Sequence, residues 1–175
     1  ETPAQNFYNH PVPYSTDSTR LTIWNGSEYV PVFLKGMNLG VAVPGTYPGE
    51  LAATRKQYAR WFEDIKEAGF NSIRLYTLHY PRFYQVLDSF NLANPQNPLP
   101  FFQGVWLNEE LPGYEDDLYF MTDTFHAEIE ENIDCVHGNR VIDARFGKAF
   151  GAYTADVSDW CVGYIIGREI HPGEV

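Results

Sequence analysis

Short apolar runs alternate along the chain with longer segments in which apolar residues recur at helical spacing. The apolar runs predict four buried strands, at residues 32–40, 72–76, 100–107 and 160–167. The amphipathic segments predict three helices: one over 50–69, one that begins at Pro81, and one capped by Thr122 or Asp123. Residues 138–159 have no clean period and predict no element. Continuous apolar strands separated by amphipathic helices indicate a parallel sheet built of βα units.

The beginning of the chain does not follow this alternation. Residues 1–19 are polar and interrupted by proline, and we interpret them as an arm on the surface. Residues 20–34 contain Asn25-Gly26 between two apolar runs. This dipeptide predicts a β-hairpin with a type I′ turn, in which both central residues have positive φ. We therefore divide the chain into an arm at 1–19 and a domain at 20–175 that opens with the hairpin.

Composition narrows the range of functions. Of the 175 residues, 44% are hydrophobic and 16% are aromatic, which is too apolar for a disordered chain and enough for one substantial core. The 12 Lys and Arg residues against 23 Asp and Glu give a net charge of −11. This charge argues against nucleic acid and anionic membrane surfaces as partners, since both favour basic proteins. No apolar run reaches the ~18–20 residues of a membrane span.

The motifs of metal, redox and nucleotide chemistry are missing from the sequence. Cys135 and Cys161 lie too far apart for a CxxC pattern, and two buried thiols are favoured over a disulfide. The five histidines show no HExxH or paired-ligand spacing, so we expect no metal site. No GxGxxG follows the first strand and no GxxxxGK[ST] occurs, so we expect no cofactor.

Polar and aromatic residues gather where the predicted strands end. They are Asn38, Arg74 with Tyr76, Trp106 with Asn108, and Arg168 with Glu169. The carboxyl ends of the strands carry the chemistry in (β/α)8 barrels, so this placement favours a barrel over a doubly wound sheet.

Four short segments carry a resemblance to a known family. They are the hairpin, Gly36-Met37-Asn38 at the end of the first strand, residues 66–76 (KEAGFNSIRLY), and residues 163–170 (GYIIGREI). In this order they resemble the retaining β-glycosidase clan of (β/α)8 glycoside hydrolases. The resemblance covers most of residues 20–172 and implies the N-terminal half of a (β/α)8 TIM barrel, through strand four.

The resemblance implies a role for each of the residues at the strand ends. Glu169 occupies the position of the acid/base glutamate, and Arg74 that of the arginine which keeps the nucleophile ionised. Substrate contacts would come from Asn38, Arg168, Tyr47, Tyr76, Trp106 and His79, with the aromatic rings stacked on sugar faces. Retaining hydrolysis needs two carboxyl groups about 5–5.5 Å apart. Arg168 departs from the family, which has asparagine before the acid/base residue.

The nucleophile of this clan belongs on the seventh strand, which the sequence does not reach. We therefore expect a processed product or a fragment of a longer protein, inactive alone, whose partners are a saccharide substrate and the rest of the barrel. Two alternatives stay open: a carbohydrate-binding or scaffold domain without catalysis, which Arg168 favours, and a half-barrel that self-associates through its exposed sheet edges. By resemblance, the longer protein would be extracellular or membrane-tethered.

Overall fold

Three helices and three sheets make up the part of the chain that the structure, a computed structural model, describes: residues 12–47, 50–108 and 118–170. In chain order the elements are β1 (Tyr14–Thr16), β2 (Leu21–Trp24), β3 (Tyr29–Pro31), β4 (Gly36–Leu39), α1 (Arg55–Glu67), β5 (Ser72–Leu75), α2 (Pro81–Ala93), β6 (Phe101–Val105), α3 (Thr122–Val136), β7 (Arg140–Ile142), β8 (Gly151–Tyr153) and β9 (Cys161–Ile166). None of these helices is long and apolar enough to cross a bilayer.

Strands β4, β5, β6 and β9 form a sheet in that order, and each neighbouring pair is parallel. The predicted parallel sheet of βα units is therefore confirmed. β4 begins at Gly36 and not at residue 32, because the backbone before it bonds to a side chain. The Lys35 N–H donates to Asn71 Oδ1 (2.6 Å), and Asn71 Nδ2 donates to the Phe33 carbonyl (2.9 Å).

The predicted hairpin is present as β2 and β3, but its turn differs from the prediction. Only Gly26 of the Asn25-Gly26 pair has positive φ (101°), so the type I′ assignment is wrong. Asn25 Oδ1 accepts the backbone N–H groups of Ser27 (2.9 Å) and Glu28 (3.0 Å), which closes a longer loop. The segment predicted as an arm, residues 1–19, contains the strand β1, which pairs with β2. Residues 1–11 of this segment lie outside the described residues.

The helices begin where local hydrogen bonds favour them. Thr54 and Gln57 form a capping box at the start of α1, so this helix begins later than residue 50. Pro81 is the first residue of α2, as predicted. The predicted cap of α3 is wrong: its N-cap is Met121, the last residue of a single-turn 3-10 helix, and the Thr122 hydroxyl donates instead to the Tyr119 carbonyl (2.9 Å).

The segment without a clean period contains a small antiparallel hairpin, β7 paired with β8. Its strands have three residues each, which is too short to produce a recognisable alternation. Gly138, with φ 65°, ends α3 against the backbone of Ala155 and Asp156. The hairpin therefore belongs to the connection between α3 and β9.

The core lies between the helices and one face of the parallel sheet. It is built of fully buried side chains from both layers, among them Phe62, Ile73, Leu75, Phe83, Leu87 and Phe101. The alternate sheet residues belong to the opposite face, because successive side chains of a strand point to opposite sides. There Asn38 is exposed, and Arg74 and Phe102 are half-buried. The described helices thus cover one face of the sheet and leave the other open.

Candidate functional site

The open face of the sheet carries a row of side chains from neighbouring strands. Asn38 is in register with Arg74, Arg74 with Phe102, and Phe102 with Gly163. Together with Ser72 and Ile165 they line an open cavity of about 370 Å³, which we call the sheet-face cavity. The sheet therefore brings Asn38 and Arg74 together, as the strand-end pattern predicted.

The hydrogen-bonding groups of Arg74 are only partly used in this cavity. Its guanidinium carbon lies 4.5 Å from the ring centroid of Tyr76, a cation–π distance. Its buried Nε has no hydrogen-bond partner among the described residues, and neither has the buried hydroxyl of Ser72. A buried donor without an acceptor is costly, more so on a charged group. The cavity therefore offers unused hydrogen-bonding capacity suited to an anionic acceptor.

Glu169 follows the carboxyl end of β9 by three residues and is exposed. The turn that leads to it is held by the Gly167 N–H, which donates to the Val105 carbonyl on β6 (2.9 Å). Arg168 Nη1 donates to the Glu169 backbone carbonyl (2.8 Å). No ion pair within the described residues joins the Glu169 carboxylate to Arg74.

A second cavity, of about 610 Å³, lies at the carboxyl ends of β4, β5 and β6. We call it the strand-end cleft. Its lining includes Val41, Tyr76, Trp106, Asn108, Glu128 and Lys148. Tyr76 and Trp106 are each 37% exposed, so both rings present accessible surface to a ligand. The cleft thus brings together the two aromatic residues that the sequence predicted as substrate contacts.

Two predicted contacts lie elsewhere. Tyr47 is 83% exposed and lines neither of these two cavities. His79 is fully buried in the core, which corrects its predicted position at the edge of a cleft. Nδ1 of His79 hydrogen-bonds to the Tyr58 hydroxyl (2.9 Å), and its ring packs on Phe83, so the side chain belongs to the layer between the sheet and the helices.

The environment of His79 makes it a neutral structural residue. Burial first, and the Arg82 charge second, lower the pKa of His79 from 6.5 to about 3. Because the folded pKa lies below the unfolded value, the unfolded chain binds the proton more readily. The stability that depends on neutral His79 is therefore fully present above pH 6.5 and is lost as the pH falls from 6.5 towards 3.

The sequence analysis missed Glu128 and Lys148, which form one side of the strand-end cleft. Lys148 Nζ lies 2.9 Å from Glu128 Oε2, and Arg145 Nη1 lies 2.7 Å from Glu131 Oε1. These ion pairs tie the segment after β7 to the middle of α3. No local spacing could have predicted them, because each pair joins residues of separate elements.

The two thiols are not nucleophiles at neutral pH. Cys135 and Cys161 are both free in the structure. Burial raises the pKa of Cys135 to about 12 and that of Cys161 to about 11. Within residues 12–47, 50–108 and 118–170, no three His, Cys, Asp or Glu side chains cluster in a way that could hold a metal ion.

The described chain is thus an α/β protein with a sequentially ordered parallel sheet, one open sheet face and a cleft at the strand ends. Comparison with models of protein families, with curated proteins and with solved structures found no match. Any functional assignment therefore rests on the residues and the geometry of this chain.

Proposed function

We propose that the parallel sheet is the first half of a (β/α)8 barrel. Two observations support this architecture over a doubly wound sheet. The strand order β4-β5-β6-β9 follows the sequence without the reversal that defines a doubly wound sheet. The described helices cover one face, whereas doubly wound sheets carry helices on both. In a barrel the open face becomes the interior, and the edges of β4 and β9 pair with further strands.

Within that barrel we propose the chemistry of a retaining β-glycosidase. Glu169 would protonate the leaving oxygen as general acid and then activate water as general base. Its position just past the carboxyl end of β9 is where such barrels place catalytic groups. The nucleophilic carboxylate would come from a later strand, outside this chain. The substrate would be a β-linked glycoside, hydrolysed or transferred with retention.

The observation that carries this proposal is the unpartnered Nε of Arg74 in the sheet-face cavity. A carboxylate on a strand that closes the barrel would accept from it. Such a bond favours the charged form of the carboxylate and so keeps a nucleophile ionised. Asn38, the register neighbour of Arg74, adds an amide that can orient the carboxylate or a sugar hydroxyl.

The test uses the full-length product of the coding sequence that contains this chain. Aryl β-glycosides with poor and with activated leaving groups are compared for the wild type, Glu169→Gln and the control Glu67→Gln. Glu67 is an exposed residue at the end of α1. We expect Glu169→Gln to lower turnover of the poor leaving group by about 10²–10⁴-fold, with the control unchanged. Azide should rescue Glu169→Gln on the activated substrate and yield a β-glycosyl azide.

Two results would overturn the catalytic assignment. One is unchanged turnover of the poor leaving group by Glu169→Gln. The other is inversion of anomeric configuration in the product, which NMR spectroscopy measures directly, because inversion needs a water between the two carboxyl groups in place of a nucleophile.

A binding module without catalysis is the second candidate, and Arg168 is the observation that favours it. The guanidinium donates to the backbone at Glu169, where the resembled family has an asparagine. Binding of saccharides by the full-length product without any turnover would support this candidate. Self-association of the chain through the edges of β4 and β9, detected by sedimentation, would instead support a half-barrel that closes as a dimer.

A further inference from the structure

One side of the strand-end cleft is built by residues that take no part in the proposed acid/base chemistry. It consists of the middle of α3 and residues 145–149, which connect β7 to β8. Glu128 comes from the helix, and Gly147 and Lys148 come from the connection. We call residues 145–149 the cleft loop.

The cleft loop is held in place by its own contacts. Arg145 Nε donates to the Ala149 carbonyl (2.8 Å), which closes the loop at its base. Arg145 also pairs with Glu131 (2.7 Å) and with Glu128 (3.9 Å), and Lys148 pairs with Glu128 (2.9 Å), so three ion pairs fix the loop to α3. Gly147 has φ 70°, a conformation that glycine adopts without strain. Lys148 and Glu128 are therefore presented to the cleft in a fixed arrangement, at low cost in ordering on binding.

The aromatic residues of the cleft offer flat apolar surface. Tyr76 and Trp106 are the lining rings, each partly exposed. A pyranose has apolar C–H faces and a rim of hydroxyl groups, so it can stack on such rings while its hydroxyls hydrogen-bond to charged side chains.

The charges of the cleft select among sugars. The Lys148 ammonium and the Glu128 carboxylate lie 2.9 Å apart, so their charges compensate each other. The ammonium donates and the carboxylate accepts, which together match a pair of adjacent hydroxyl groups. The carboxylate of a uronate would be attracted by the Lys148 ammonium. It would be repelled by the Glu128 carboxylate and by a chain of net charge −11. An uncharged ring is the better fit.

We infer that the strand-end cleft binds a neutral pyranose unit of a β-linked glycoside, with Lys148 and Glu128 as the residues that determine its specificity. The inference deepens the proposed function, on which it rests for the choice of a glycoside. It adds a binding site on α3 and the cleft loop, apart from the predicted acid/base residue.

The test measures binding of defined tetrasaccharides to this 175-residue chain by isothermal titration calorimetry. The neutral probes are cellotetraose and laminaritetraose, and the anionic probe is the β-1,4-linked tetramer of glucuronic acid. The variants are Lys148→Met, Glu128→Gln and Trp106→Ala. The matched controls are Lys56→Met and Glu63→Gln, both on the exposed side of α1.

We expect at least one neutral tetrasaccharide to bind, and each of the three cleft variants to weaken it by about tenfold. The two controls should bind as the wild type does. Urea midpoints identify any variant that loses its fold. Trp106→Ala leaves the ion pairs to α3 intact, so it tests the cleft even if Lys148→Met loosens the loop.

Three outcomes would overturn the inference: no binding of either neutral probe, equal affinity of wild type and cleft variants, or tighter binding of the glucuronic acid tetramer. The proposed catalysis fails separately. If neutral sugar binds and its binding depends on Lys148, but the full-length product hydrolyses nothing, the cleft assignment holds and the catalytic role of Glu169 is wrong. If hydrolysis depends on Glu169 but sugar binding does not change in Lys148→Met, the catalytic role holds and the cleft assignment is wrong.

Discussion

Gly104 in β6 is the position at which a single methyl group should most disturb the sheet. A Cβ there would overlap the carbonyl oxygens of Leu75 and Tyr76 and lie 2.6 Å from the Tyr76 carbonyl carbon. All three are backbone atoms at the end of β5, so no side-chain rotation relieves the overlap. The two central strands would have to separate. We expect Gly104→Ala to destabilise the fold by about 3 kcal/mol, the upper part of the range for overpacking.

A matched control lies on the next strand. Gly163 in β9 also has no positive φ, and a Cβ there would meet nothing within 4 Å. Gly163→Ala should therefore change stability by no more than about 0.5 kcal/mol. For a chain of 175 residues, about 3 kcal/mol corresponds to a fall in Tm of roughly 6–12 °C.

The assay is thermal and urea unfolding of the wild type, Gly104→Ala and Gly163→Ala, followed by circular dichroism. The expected order places Gly104→Ala well below the other two proteins. Equal stability of the two variants would refute the close approach of β6 to the end of β5. It would also remove the basis for the position of Tyr76 in the strand-end cleft.

Buried titratable groups lead to two further predictions. Lowering the pH from about 7.5 to about 5 should destabilise the wild type by up to about 2 kcal/mol more than His79→Gln, because glutamine binds no proton. Urea midpoints at both pH values measure the difference, and parallel pH profiles would contradict it. Cys135, which is fully buried and whose pKa is raised, should react with a thiol reagent only after guanidinium unfolds the chain. Rapid labelling of Cys135 in native buffer would show that this thiol is not buried.

The parallel sheet was predictable because its strands and helices carry strong periodic signals. Residues 72–76 carry Ile73 and Leu75 at alternate positions, follow a helix that ends near a glycine, and form β5 within one residue of the predicted bounds. Pro81 marks the start of α2 for a local reason, its fixed φ and missing N–H. In both cases the interaction that determines the element lies within a few residues.

The errors have non-local causes. Lys148 and Glu128 are twenty residues apart, and only the packing of the cleft loop on α3 brings them together. His79 follows a strand that ends at polar residues, so its sequence position suggested the cleft. It lies in the core instead, where it contacts Tyr58, twenty-one residues earlier, and Tyr153, seventy-four residues later. The spacing of residues along the sequence does not predict these contacts.

The two candidate sites differ in how much of each belongs to this chain. The strand-end cleft has aromatic and charged lining residues that are already paired or packed, as with Lys148 and Glu128. The sheet-face cavity instead has donors without acceptors, at Arg74 Nε and the Ser72 hydroxyl. Because unsatisfied buried donors are costly, the second site is expected to need groups from further strands, whereas the first should bind alone. We therefore expect this chain to bind sugar by itself and only a longer product to hydrolyse it.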